Sequence, residues 1–306
     1  MNLDPLYQNK LYGLEKEFTE LVLLYKNNKL PNKILFSGSK GSGKCTLSYH
    51  LINQILSIEE NFPYDEKKFE INIENKSYKL MLNKTCSNFS LIDVANDKKK
   101  IDISQIRSLI NNLNKSSINS KPKFILIDNI EFLNINSINA LLKILEEPNK
   151  NTFFFLINNN KKILPTLKSR CLDFKISLSN TKSIQVANEI LGEDVYKFIN
   201  KDLINYYSTP GNIISLINFS KDFDLDLTKY NLKDFLEHII QDTRFKKHIL
   251  FQYLFYNFVE FFLRTKNSLI NFDYYYEFLK KIDKAKRYNL DEESLFIEFK
   301  EIISNG

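Results

Sequence analysis

Cysteine is scarce in this sequence of 306 residues: there are three, Cys45, Cys86 and Cys171. Three thiols can build neither a disulfide framework nor a four-thiolate zinc site, so a reducing cytoplasm is the expected setting. The first residues, MNLDPLYQNK, lack the apolar core of an export signal. The apolar run at 249–263 is broken by Gln252, Asn257 and Glu260 and is too short to span a bilayer. Neither charge sign dominates. Lys and Arg number 43 against 37 Asp and Glu, a formal +6 that tolerates a nucleic-acid neighbour without demanding one. Hydrophobic residues at 43% and aromatics at 13% exclude a disordered chain.

Glycine is equally rare, and its placement is informative. Of seven glycines, three (Gly38, Gly41 and Gly43) fall within GSKGSGK at 38–44. Before this loop stands the apolar run Ile34-Leu35-Phe36, of the kind that forms a buried parallel strand. After it, Leu47, Leu51, Ile52 and Ile55 recur at helical spacing. Strand, glycine loop and helix in that order, with G-x-x-x-x-G-K between them, make a phosphate-binding loop. Its backbone N–H groups would turn inward around phosphate oxygens at a helix N-terminus, with Lys44 reaching the terminal phosphates.

The same alternation continues. A helix is expected over 15–25, and Ser104 reads as the N-cap of a helix carrying Ile106, Leu109, Ile110 and Leu113. Further strands are predicted at 124–127, 153–157 and 172–176, with a helix through Ile138, Leu141, Leu142 and Leu145 that stops at Pro148. Residues 60–100, with Phe69, Ile71 and Ile73 alternating, suggest an inserted hairpin or irregular strands. The fold class is therefore α/β, a parallel sheet with helices on both faces. Beyond about residue 178 only helices are expected, and the stripe Phe251, Phe255, Phe258 and Phe262 reads as bundle core.

Two positions depart from a hydrolysing site. The residue after Lys44 would normally be Ser or Thr, whose hydroxyl binds Mg²⁺; here it is Cys45, a soft donor for a hard cation. Thr46 lies about 100° further round the helix and does not substitute. Asp128, at the end of the second strand run, stands where a carboxylate would hold the metal's water shell. The next residue, Asn129, is neutral and cannot act as a base.

The stretch Asn139-Ala140-Leu141-Leu142-Lys143-Ile144-Leu145-Glu146-Glu147-Pro148, followed by Leu164-Pro165-Thr166 and Ser169-Arg170-Cys171, resembles the AAA+ subunits of DNA polymerase III clamp loaders. Ile103-Ser104-Gln105-Ile106-Arg107 and the C-terminal Tyr288-Asn289-Leu290 are similar to bacterial members as well. The resemblance implies an AAA+ core at 1–177, a helical lid at 178–225 and a helical collar at 226–306 that joins an open ring. It further implies that Arg170 is an arginine finger acting in trans on a neighbour's ATP. Gly38, Gly41, Ser42, Gly43, Lys44, Cys45, Thr46, Asp128 and the sensor-like Asn158 would line a degenerate site for ATP or ADP. No zinc is expected, because the family's zinc module is reduced to Cys86. Within the family, Cys45, Asn129 and Gly211, the last near a motor's sensor arginine, favour the delta-prime type with little or no ATPase of its own. The chain's end at residue 306 fits that type. The alternative is a gamma- or tau-like ATP-hydrolysing motor. Implied partners are the loader's ATPase and delta-like subunits, the sliding clamp and primer-template DNA, with no membrane.

Overall fold

The computed structural model describes residues 2–94, 100–113, 120–146, 151–242, 249–265, 272–288, 295 and 297–301. They form two compact units, one of residues 2–186 with 209–211, the other of 187–208 with 212–306. Glu147, Pro148, Asn289 and Leu290, named above, lie outside the described residues.

The first unit is built on five parallel strands: β1 (Lys33–Ser37), β2 (Phe89–Ile92), β3 (Lys123–Ile127), β4 (Thr152–Asn158) and β5 (Leu172–Lys175). Their spatial order is β2-β3-β4-β1-β5. Register is in step across the centre, Ile34 opposite Phe155 and Phe155 opposite Leu126. Successive side chains of a strand point to opposite faces. Thus Ile34, Phe36, Phe124, Leu126, Phe155 and Ile157 enter one core cluster. Leu35, Ile125, Ile127, Phe154 and Leu156 enter the other. Both faces are dry, which is why these strands read as continuous apolar runs rather than alternating ones. Helices α1 (Glu15–Lys26), α2 (Lys44–Ser57) and α3 (Lys76–Leu82) lend residues to the first cluster. Helices α4 (Ile103–Leu113) and α5 (Ile135–Glu146) cover the second. The short α6 (Pro165–Lys168) precedes β5.

Two expectations are corrected. Residues 60–100 hold α3 and the edge strand β2, not a hairpin built on Phe69, Ile71 and Ile73. The reason is local: Phe69 takes a left-handed backbone (φ 55°), Asp65 and Glu70 close a single bridge, and the Asn75 side chain caps α3 through Tyr78 N–H at 2.8 Å. Ser104 is not an N-cap either, since α4 already begins at Ile103. Asp102 occupies the start, its N–H donating to Gln105 Oε1 at 3.0 Å and its carbonyl accepting from Gln105 N–H at 3.1 Å. That is the glutamine half of a capping box.

One buried polar group couples this core to pH. His50, fully enclosed on α2, sits with Nδ1 2.8 Å from the Tyr64 hydroxyl and Nε2 2.9 Å from the Gln8 carbonyl. A neutral ring satisfies both contacts, with Nε2–H donating to the carbonyl and Nδ1 accepting from the phenol. Burial holds its pKa down at about 4, against the opposing Gln8 bond. The unfolded chain therefore binds this proton first. Stability is fully present above about pH 6.5 and is lost as pH falls towards 4, by about 3 kcal/mol in all. Melting temperature measured from pH 7 to 4.5 should fall more steeply for the wild type than for His50→Gln; parallel curves would contradict this.

The second unit is helical. It contains α9 (Leu232–Gln241), α10 (Ile249–Thr265) and α11 (Phe272–Tyr288), together with the C-terminal end of α7 (Asn180–Leu191) and most of α8 (Pro210–Asp222), through which the division between units passes. Phe255, Phe258 and Phe262 are buried there, with Phe258 edge-on to Phe235 and Phe299 stacked on Phe278 at 5.7 Å. At these three positions the aromatic stripe is packing, as its helical spacing predicts; the Phe251 side chain lies outside the described residues.

Candidate functional site: a phosphate-binding loop and a separate arginine

β1 delivers the chain to Gly38, and α2 starts at Lys44. Between them Gly41 and Gly43 have φ of +80° and +87°, the left-handed region where glycine costs least. Gly38 is required for another reason. A Cβ there would lie 2.2 Å from the Ile176 carbonyl oxygen, and its N–H already donates to Asn158 O at 3.2 Å. Lys44 is almost wholly buried, and its ammonium donates to Gly38 O at 2.9 Å and Ser39 O at 2.6 Å. Burial lowers its pKa to about 8, while Asp128 and Glu131 pull it upward. The buried Ser42 completes the turn, its N–H donating to Ser39 O at 3.3 Å.

Asp128, at the end of β3, sits behind the loop. Burial raises its pKa to about 6, with Asp93 adding to the effect. Burial, followed by the charge of the nearby Asp128, drives the Cys45 thiol pKa well up. The thiol thus stays protonated. Backbone N–H groups and Lys44 suit phosphate oxygens, but the donor set Cys45 and Asp128 does not suit Mg²⁺. Thr46 is half-buried one position further along α2.

Around Asp128 the three strand ends are joined by amides. Asn129, at φ 54°, donates to Asp93 Oδ1 at 2.8 Å and accepts from Asn159 Nδ2 at 2.8 Å; Asn159 also donates to Glu131 Oε1 at 3.0 Å. A carboxylate at 129 would face that of Asp93, and the neutral amide avoids this repulsion. The sensor-like Asn158 spends its side chain on its own loop, exchanging bonds with Lys161 O at 3.0 Å and Lys161 N–H at 3.2 Å. Over the loop lies the turn 209–211. Gly211 N–H donates to Gly41 O at 2.9 Å, and Thr209 Oγ1 donates to Lys40 O at 2.8 Å.

The predicted loop residues, Asp128 and Asn158 therefore converge, while Arg170 belongs to a different group. It follows α6, whose Leu167 is buried, and its guanidinium donates to Thr166 O at 2.9 Å and Glu146 Oε1 at 2.6 Å. Lys168 pairs instead with Asp173 at 3.2 Å. Sequence reasoning missed Asp93, Asn159 and Thr209. The signal for Asp93 was an apolar pair ending in an acid, Leu91-Ile92-Asp93, as in Ile127-Asp128. No group of three or more His, Cys, Asp or Glu gathers in metal-binding fashion among the described residues. None of the described helices is long and apolar enough to cross a membrane.

A parallel sheet in this order, with a glycine loop between β1 and α2 and an acid ending β3, defines a P-loop domain of the AAA+ class. The family model described as "DNA polymerase III, delta subunit" matches residues 13–180, more than half of the chain. The delta' subunit of Buchnera aphidicola subsp. Schizaphis graminum is 28% identical over 237 residues, covering 76% of this chain and 68% of that protein. DNA polymerase III subunit gamma of the same organism is 32% identical over 160 residues, covering 51% of this chain. That match spans only 41% of the gamma subunit's length. A gamma subunit-related protein of Thermotoga maritima has the same fold, with a TM-score of 0.51 at 16% identity over 92% of this chain and 98% of that one. The chain belongs to the DNA polymerase III delta-subunit family.

Proposed function

We propose that this chain is the delta-prime-type structural subunit of a bacterial clamp loader. It completes a neighbouring subunit's ATP site by supplying Arg170 in trans, and runs no efficient site of its own. The observation that carries the reading is Cys45 itself: a thiol kept protonated by burial and by the charge of Asp128 stands where a motor's hydroxyl would bind the metal. Asn129 and Gly211 support it from two other directions. ATP or ADP, when bound, would be held by the N–H groups of Gly41, Ser42 and Gly43 with Lys44 and would remain unhydrolysed. Arg170 would place a fixed positive charge against the charge developing on the neighbour's transferred phosphoryl group.

The partners of this reading are the loader's ATPase and delta-like subunits in a hetero-oligomeric ring, the sliding clamp, and primer-template DNA met by the assembled complex in the cytoplasm. The lid at 178–225 and the collar at 226–306 belong to the same proposal. The identity to gamma subunits favours a second reading, a motor that tolerates Cys45. DNA- and clamp-stimulated ATPase of the reconstituted loader separates the two. Loss with Arg170→Ala and activity within about twofold of wild type with Lys44→Ala supports the structural subunit; the reverse pattern makes this chain a motor.

A further inference from the structure

Arg170 is held by more than its own turn, and the holder is a residue whose position otherwise looks unfavourable. Glu146 closes the described part of α5, where the helix dipole places partial negative charge and disfavours a carboxylate. Its backbone is nonetheless fixed. The preceding Leu145 is completely buried, and its carbonyl accepts from Lys33 Nζ at 3.1 Å, at the start of the central strand β1. The Glu146 side chain stays half in solvent and reaches Arg170 NH2 at 2.6 Å, while Thr166 O takes NH1 at 2.9 Å. Two oxygens from two different helices thus grip the two terminal nitrogens of one guanidinium. The plane of the fork is set, and three of its five N–H donors are left for a further acceptor.

We infer that Glu146 is a positioning residue for Arg170: it orients the guanidinium before a neighbouring subunit's nucleotide arrives. This deepens the proposed trans role of Arg170 and rests on it. A free arginine side chain has several rotatable bonds to freeze, and a finger aimed in advance reaches the transition state without that loss. An acid is suited to this task because its hydrogen bond to arginine is charge-assisted and directional. Being exposed, the bond is also weak enough to adjust when the subunits close.

The test is a double-mutant cycle in the reconstituted loader, read as kcat and KM for ATP. Glu146→Ala should lower kcat about three- to tenfold with KM unchanged, the size expected when one exposed, charge-assisted contact is removed from a catalytic group. Glu146→Gln keeps an oxygen that accepts from NH2 and should recover to within about twofold of wild type. In an Arg170→Ala background, Glu146→Ala should have no further effect. Melting temperatures of the variants should match the wild type, which separates orientation from folding. A kcat unchanged or raised in Glu146→Ala, a Gln variant as poor as Ala, or an undiminished effect without Arg170 would each overturn the inference. If Arg170→Ala itself leaves kcat intact, the trans reading fails first and is recognised separately.

Discussion

With Arg170 acting in trans as proposed, Arg170→Lys in the assembled loader is expected to abolish most of the neighbour's ATP turnover, leaving it within about tenfold of what Arg170→Ala leaves. Charge is conserved in this substitution, so a purely electrostatic field effect predicts little loss. The geometry argues otherwise. One planar group here meets Thr166 O and Glu146 Oε1 through separate nitrogens and still presents further donors. An ammonium is a single point whose three donors share one nitrogen; it cannot span both oxygens and also reach outward. An arginine finger contributes about 10³-fold or more to turnover. We expect lysine to retain about one part in a hundred of wild-type single-turnover activity. A lysine variant within about threefold of wild type would mean that position 170 supplies charge alone.

Gly38→Ala should destabilise the free subunit by about 2–3 kcal/mol, the upper part of the usual range for overpacking, and lower its melting temperature by roughly 5–10 °C. The added methyl would stand 2.2 Å from Ile176 O. That oxygen is backbone, tied in turn through Ile176 N–H to Ser37 O at 2.8 Å, so it has no side-chain freedom with which to retreat. Nucleotide plays no part in this cost. The same measurement on Ser39→Ala, at a loop position where the side chain makes only an exposed bond to Asn160 at 3.2 Å, should show a far smaller change. Equal melting temperatures for Gly38→Ala and wild type would show that the β1–loop junction yields more readily than its packing indicates.

How much of this was readable from the residues follows from how local each signal was. The central strands were legible because burial on both faces leaves an unbroken apolar run, and Phe124–Ile127 and Phe153–Ile157 are such runs. The phosphate loop was legible because its geometry needs glycines at fixed offsets, and this chain has few glycines elsewhere. The edge strand β2 was not. Its Phe89-Ser90-Leu91-Ile92 has one edge and part of one face uncovered, and Leu91 is exposed, so the apolar signal is diluted. With β2 unread, Asp93 had no strand end to stand on. The amide bridge from Asp93 through Asn129 to Asn159 was invisible for a related reason. It joins residues 30 or more positions apart, and asparagine is too common in this sequence for two of them to attract notice.

The turn at 209–211 has a consequence for how the chain can change. A Cβ on Gly211 would meet Gly41 Cα at 2.6 Å and Gly41 O at 2.9 Å, so no side chain fits there while the turn stays hooked to the loop. Restoring a sensor arginine at 211 would first unhook the turn. A glutamate at 129 would confront Asp93, and a hydroxyl at 45 alone would recover one donor of several. On the proposed reading, each single step towards a hydrolysing site is thus unfavourable or idle before the others are taken, so these positions are locked together and only a concerted change would open the site.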